Sequence, residues 1–378
     1  MKSAYIVGFG VLAVFLADCS DNNNNSSSGG SSSVAPVPTS VQGLQGNSYS
    51  IAVFAKAPGT LQPDDLLELN SDVFVIYQDP NVNPNGTLAT GVTSAQAEVL
   101  EYDQNGNVLQ TYDVPGHPDG MTAVGTSVWI SSNEDANSVI TVINPSSNTL
   151  ASYTYDQAPA QLPHGGGLDD MKVINSVVYA SASNPSTTAS PSPSLAPYST
   201  DGNGATAEYG VNTGPVLYAI TLNGDGKTYH AVSALDSSTA ATLLPGNTAV
   251  TLNMTDTDSS MLDPSGDLVV ASQQDSELVF VKNLGASSQS VSVLPVTLYG
   301  NPWPLDDTRW SPASGSSFML LSDPPAQLIY RINASGGFPA STAYSSGQGT
   351  VLQANTTTGV LTPIYVGMNN PHGLIFVQ

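Results

Sequence analysis

Residues 118–144, PDGMTAVGTSVWISSNEDANSVITVIN, decide the fold. A polar pair containing Asp119 leads a first strand, and a turn follows. The strongly apolar run Val128-Trp129-Ile130 then ends at a polar stop, Ser131-Ser132-Asn133. A third run, SVITVIN, occupies residues 138–144. Runs of β-branched and aromatic residues bounded by Gly, Asn and Asp read as short strands joined by tight turns.

The same phrase returns along the chain. Pro63-Asp64-Asp65-Leu66 leads to VFVIYQ at 73–78, Leu168-Asp169-Asp170-Met171 to VVYASASN at 177–184, and Thr257-Asp258-Ser259-Ser260 to LVVASQ at 268–273. Leu305-Asp306-Asp307-Thr308 leads to FMLLSD at 318–323, and Pro371-His372-Gly373-Leu374 opens a sixth copy. Between the second residues of these pairs the spacings are 55, 50, 89, 48 and 66. Third strands follow several stops, at 277–283 and 327–333 as well as 138–144, and fourth strands fit 108–112, 150–155 and 290–294. Four strands per repeat of ~50 residues is the signature of a β-propeller. The expectation is therefore an all-β chain with one six-bladed propeller over residues 46–378, the early segment 49–55 closing the ring as a strand of the last blade. The long interval holds a Pro/Ser-rich insertion at 185–214, and blade one carries a smaller one at 79–94.

Composition narrows the partners. Seven Lys+Arg face 30 Asp+Glu, a formal charge of −23, yet only 10% of residues are charged, against a usual ~25%. Seven scattered cations cannot neutralise a run of phosphates, which excludes nucleic acid as a partner. One cysteine excludes an intramolecular disulfide and a Cys-based zinc site. Few strong cations also mean little positive self-repulsion once the carboxylates protonate near pH ~4, which suits a protein facing an acidic medium.

The first residues read as an address. Lys2 precedes an uncharged, mostly apolar stretch at 3–17, short for a membrane span and suited to a signal peptide over 1–18. Leu16-Ala17-Asp18-Cys19 resembles a bacterial lipobox, departing from it at Asp18, where a small residue is usual. The resemblance implies lipidation at Cys19, with simple secretion as the alternative; Ser20 in the next position implies the outer membrane where the host has one. The Asn/Ser/Gly/Pro-rich segment 19–45 reads as a tether. Localisation is then the cell envelope, with the membrane contacted through the lipid anchor alone and the chain monomeric.

Further motifs resemble known propellers. Val142-Ile143-Asn144-Pro145-Ser146-Ser147-Asn148-Thr149 is similar to the hairpin of YVTN-type surface propellers. Pro371-His372-Gly373 resembles the strand openings of NHL-type and gluconolactonase-type propellers and of streptogramin lyase. PHGGGLDD at 163–170 and DPSGDLVVASQQDSELVFV at 263–281 resemble stretches that recur in a family of secreted bacterial propeller lipoproteins. These likenesses imply a fold and leave the activity open.

In a propeller the start of strand one and the end of strand two share a face. That face collects Asp64, Asp65, His117, Asp119, His164, Asp169, Asp170, Asp256, Asp258, Asp306, Asp307 and His372, joined from the strand-two ends by Asn133, Asn184, Gln273 and Asp323. Trp303 reads either as a stacking platform on that face or as packing between blades. Three readings of the ring stand. Asp at a strand start caps the turn by accepting backbone N–H groups. Alternatively, the carboxylates hold an axial divalent cation, calcium or magnesium if oxygens dominate and a transition metal if imidazoles join. Thirdly, His117, His164 or His372 acts as acid or base beside Asp119 or Asp169 in a metal-assisted lyase or lactonase. The leading expectation is a binding or surface-interaction module for a small-molecule or protein ligand.

Overall fold

The computed structural model describes residues 35–188, 210–313 and 317–378; the expected signal peptide, Cys19 and most of the insertion at 185–214 lie outside them. Strand pairing sorts the chain into antiparallel four-stranded blades. Blade 1 runs Gln62–Leu69, Asp72–Gln78, Ala97–Tyr102, Val108–Val114 from the axis outward. Blades 2, 3 and 4 follow the same order from inner strands Pro118–Val124, Leu168–Ile174 and Thr257–Leu262. The inner strands of successive blades are neighbours around a closed ring.

Period-two alternation sends successive side chains of a strand to opposite faces, and here each face meets a different blade. In Asp72–Gln78, Val73, Val75 and Tyr77 pack with Phe318, Leu320 and Val377, whereas Phe74 and Ile76 pack with Met121, Val128 and Ile130. Six such apolar clusters lie between adjacent blades and carry the core.

The last two blades depart from the sequence reading. Phe318–Asp323 does not pair with the strand after Asp307; it pairs with Leu374–Val377, and Leu328–Ala334 pairs with Tyr49–Lys56. Blade 5 instead joins Thr308–Trp310 to Ala343–Gly347, Thr350–Ala354 and Val360–Val366. The two blades are thus interleaved along the chain. Packing decides the assignment: Phe318 and Leu320 bury toward blade 1, while Met319 and Leu321 bury against Tyr344, Val351 and Ile364 of blade 5. Only a middle strand of the closing blade can face both. Closure by the early strand does occur, as expected.

Residues 35–45, counted with the tether from composition, belong to the folded body. Gln42–Gly43 pairs with Tyr365 and Val366, and Ala35, Val37 and Val41 pack against the cluster between blades 5 and 6. Two hairpins add to the outer edges, Ala240–Leu243 with Thr248–Thr251 on blade 4 and Thr297–Leu298 with Asn301–Pro302 on blade 5.

Candidate functional site

Each inner strand of blades 1 to 4 is bulged where it begins. Pro63 pairs with Tyr77 and Leu66 with Val75, so Asp64 and Asp65 together oppose a single residue; the same happens at 119–120, 169–170 and 258–259. A bulge of this kind re-aims side chains, and both residues of each pair line one axial cavity of about 170 Å³. Buried serines opposite the bulges take up the displaced backbone: Ser131 Oγ donates to the carbonyls of Gly120 and Asp169, and Ser181 Oγ to that of Asp170.

The pairs form two tiers. In the deeper tier the residues alternate around the ring as Asp65, Gly120, Asp170, Ser259, Asp307 and Gly373. Every carboxylate here accepts the N–H of its own following residue and reaches into the next blade: Asp65 to Met121 N–H at 2.8 Å, Asp170 to Ser260 N–H at 2.9 Å, Asp307 to Leu374 N–H at 2.8 Å. Small residues stand between because there is no room. A Cβ on Gly120 would lie 2.4 Å from Asp170 Cα, and one on Gly373 2.6 Å from the Asp64 carbonyl oxygen.

Arg309 fills the centre of this tier, 4% exposed. Its guanidinium bonds Asp307, donates to the Ser260 carbonyl at 3.1 Å, and stands 3.8 Å from Asp65 and 3.9 Å from Asp170. Burial works against its charge, yet Asp307, Asp170 and Asp65 hold its pKa above the ordinary value. Lys172 pairs with Asp170 at 2.9 Å. This tier is a capped, charge-compensated plug, and the turn-capping role expected of the aspartates is what Asp65, Asp170 and Asp307 perform.

The outer tier is different. Asp64, Asp119, Asp169, Asp258 and Asp306 share it with His372, and Glu134 and Asp256 lean in from loops. Gln78 donates to Asp64 and Asp119, each at 3.1 Å, and Gln273 to Asp258 at 2.8 Å and Asp306 at 3.2 Å. His372 places Nδ1 2.8 Å from Asp64 and Nε2 3.6 Å from Asp306. Burial alone would lower its pKa; Asp306 and Asp64 reverse that and raise it to about 10, which favours the charged ring. Among the described residues no donor reaches the Asp169 carboxylate, although Asp169 is only 6% exposed. Asp119, Asp169 and Asp258 are raised well above the usual carboxylate range, first by burial and then by neighbouring carboxylates, Glu134 beside all three and Asp306 beside Asp258. Burial likewise brings Glu134 to about 7 and Asp306 to about 7.

On one side of the tier, ligand atoms of His117, Asp119 and Glu134 lie within 4.8 Å of one another. His117 Nδ1 is buried without a hydrogen-bond partner, and burial lowers the pKa of the ring. Ser183 Oγ donates to Glu134 at 3.0 Å, leaving its second oxygen for the cavity.

The other residues singled out from sequence serve as supports. His164 is buried, with Nδ1 2.9 Å from the Tyr218 hydroxyl and Nε2 3.0 Å from the Ser183 carbonyl; both ring nitrogens are taken, and burial lowers its pKa to about 4. Asn133 Oδ1 accepts the His117 N–H at 2.9 Å, and Asp323 accepts the N–H groups of Asn369 and Asn370 ahead of His372. Asn184 bonds Asp135 on the surface. Trp303 packs against the cluster between blades 4 and 5 rather than lining the cavity. Sequence reasoning missed Gln78, Glu134 and Arg309. Gln78 was findable, since it ends strand two of its blade as Gln273 does.

No protein-family model and no curated protein matches this chain. Solved structures similar to it include virginiamycin B lyase from Staphylococcus aureus, at TM-score 0.41 and 9% identity over 83% of this chain and 73% of that one. A protein of unknown function from Bacteroides caccae gives 0.44 and 8% over 85% and 88%. A structure described as a putative gluconolactonase gives 0.40 and 12% over 89% and 99%. The chain is an all-β propeller.

Proposed function

We propose that this protein is an envelope-tethered propeller, anchored through Cys19, whose axial cavity binds a divalent cation on the outer tier. The observation that carries the reading is Asp169: a carboxylate 6% exposed, without a donor among the described residues, facing Asp119, Glu134 and Asp258. Buried carboxylates in such proximity need protons or a cation to offset their repulsion. The one lining cation of this tier, His372, is already shared by Asp64 and Asp306. Asp119, Asp169 and Glu134 supply hard oxygen ligands, which favours calcium or magnesium, and the His117 ring adds one nitrogen. An ion held there would keep positions open toward the cavity mouth for a ligand bearing carboxylate or hydroxyl oxygens.

Calorimetric titration of the intact chain with calcium, magnesium, manganese and zinc tests this. Binding is expected for the wild type and loss of at least tenfold in affinity for Asp169→Asn with Glu134→Gln, while Arg309 and the deeper tier keep both proteins folded by circular dichroism. Absence of binding by any of these ions at millimolar concentration overturns the reading.

A second reading rests on His117. Its neutral ring with a buried, unpartnered Nδ1 stands beside Glu134, whose pKa is about 7. Such a pair fits general acid–base work at neutral pH, as in a metal-assisted lyase or lactonase. Of the three candidate histidines, His117 alone has the free nitrogen that role requires. Turnover of a lactone or ester panel that His117→Gln abolishes without loss of metal binding is the expected signature.

A further inference from the structure

From the outer edge of blade 5 we infer that this edge is the surface the protein lays against a lipid bilayer. The inference rests on the Cys19 tether and is independent of the axial cation. Tyr299 stands at the tip of the hairpin joining Thr297–Leu298 to Asn301–Pro302 and is 80% exposed. Its φ is +53°, followed by Gly300 at +83°. Two positive φ angles in a two-residue hairpin call for Asn-Gly or Gly-Gly, and a bulky aromatic is disfavoured there. The ring is presented to the outside at the expense of backbone strain.

Around it the surface is apolar. Leu44 is 48% exposed and Val360 51%. They flank a groove of about 520 Å³ that includes Thr362 and Pro363, between the two short partners of the outer strand, where Gln45 Nε2 donates to the Pro363 carbonyl at 3.0 Å. A second groove of about 420 Å³, lined by Leu243, Leu244 and Pro245, shares Thr297 and Gly300 with it.

Charge is absent over the whole region. Residues 22–55, 237–255, 283–305 and 332–378 contain no Asp, Glu, Lys or Arg, and these stretches supply every residue of both grooves. In a protein of formal charge −23, an edge without carboxylates meets less repulsion from an anionic membrane than a carboxylate-bearing one. Tyrosine with exposed aliphatic neighbours is the composition favoured at the membrane–water boundary.

The chain also arrives here. Gln42–Gly43 pairs with the outer strand of this blade immediately before Leu44. Fifteen residues separate Cys19 from Ala35, which bounds the distance between anchor and folded body at ~50 Å. A lipid on Cys19 therefore brings this edge to the bilayer ahead of the opposite rim.

The test couples Cys19 of the full chain to a maleimide lipid in phosphatidylethanolamine/phosphatidylglycerol vesicles, so that it does not depend on processing by a host. Amide hydrogen exchange is compared with that of the same protein free in solution. Slowing of at least threefold at 297–302 and 360–363, with none at Thr228–Asp236 on blade 3, is expected. Tyr299→Ser, which keeps the hairpin, should reduce the slowing. No change, or equal change on both rims, overturns the inference. Protection that appears without vesicles and grows with protein concentration assigns the edge to a second copy instead and equally overturns it. Separately, the mass of protein extracted from membranes reports lipid on Cys19; its absence would defeat the tether reading while the coupled-vesicle result still judges the surface.

Discussion

Replacing Arg309 with methionine isolates the deeper tier. The side chain keeps an apolar stem and loses the guanidinium head with its charge, leaving Asp65, Asp170 and Asp307 around the axis with Lys172 as the remaining described cation in contact. At 3.8 and 3.9 Å, and at an effective dielectric of about 20, each pair contributes an attraction of ~4 kcal/mol. Desolvation of the guanidinium and repulsion among the carboxylates take most of this back, so the expected net loss is that of breaking a buried pair, about 3–5 kcal/mol. Urea unfolding followed by fluorescence of Trp129, Trp303 and Trp310 measures it. The pH dependence has a definite sign. Burial already raises the Asp65 and Asp307 carboxyls; without the guanidinium both rise further above their unfolded values, so the folded variant takes up protons and recovers stability as pH falls. The deficit should be largest at pH 8 and narrow toward pH 4. A loss under about 1 kcal/mol, or a deficit that does not change with pH, would refute the account of Arg309 as the counter-charge of the tier.

Gly120→Ala forces a Cβ to within 2.4 Å of Asp170 Cα; backbone must shift there, and a loss of about 1–3 kcal/mol in the same urea assay is expected. Gly224→Ala, with nothing within 4 Å of the added Cβ, should stay within about 0.5 kcal/mol of wild type. In the outer tier, burial and mutual repulsion raise Asp119, Asp169 and Asp258, and bring Asp306 and Glu134 to about 7. Raised folded pKa values give stability that is fully present below the unfolded value near 4 and is lost as pH rises to about 7. Calorimetric Tm in chelator should therefore be higher at pH 5 than at pH 8, and millimolar calcium should narrow that difference by stabilising the pH 8 sample. A midpoint falling steeply from pH 6 to pH 4 would contradict both this and the acidic-medium reading of the composition.

The ring of strand-leading aspartates was legible because each repeat carries its own copy, and a repeated residue at a repeated position must converge on the axis. The division into two tiers was not. Asp64 and Asp65 are adjacent in sequence and chemically identical, and only the bulge, which depends on pairing with Tyr77 and Val75, gives them different neighbours. Arg309 occurs once, two residues after the fifth pair, so no periodicity marks it. Glu134 lies in a loop beyond the stop of blade 2, where pattern reading has no register to follow. The order of strands in blades 5 and 6 escaped for another reason. An apolar run such as FMLLSD at 318–323 is equally good beside either neighbouring inner strand, and the choice is made by which blades its two faces must fill.

That interleaving bears on how the protein is made. Tyr49–Lys56 emerges early in synthesis, yet its partner Leu328–Ala334 comes only after blades 1 to 4 have been threaded out. An apolar strand with unsatisfied backbone groups must be kept from pairing elsewhere during all that time, since exposed strand edges recruit other chains. Blade 5 cannot be finished before blade 6 is under way, and the reverse also holds. The seam is therefore a late, shared checkpoint: until it closes, the carboxylate ring has no circumference, and a chain halted before it would expose its edges to any holdase or protease it meets.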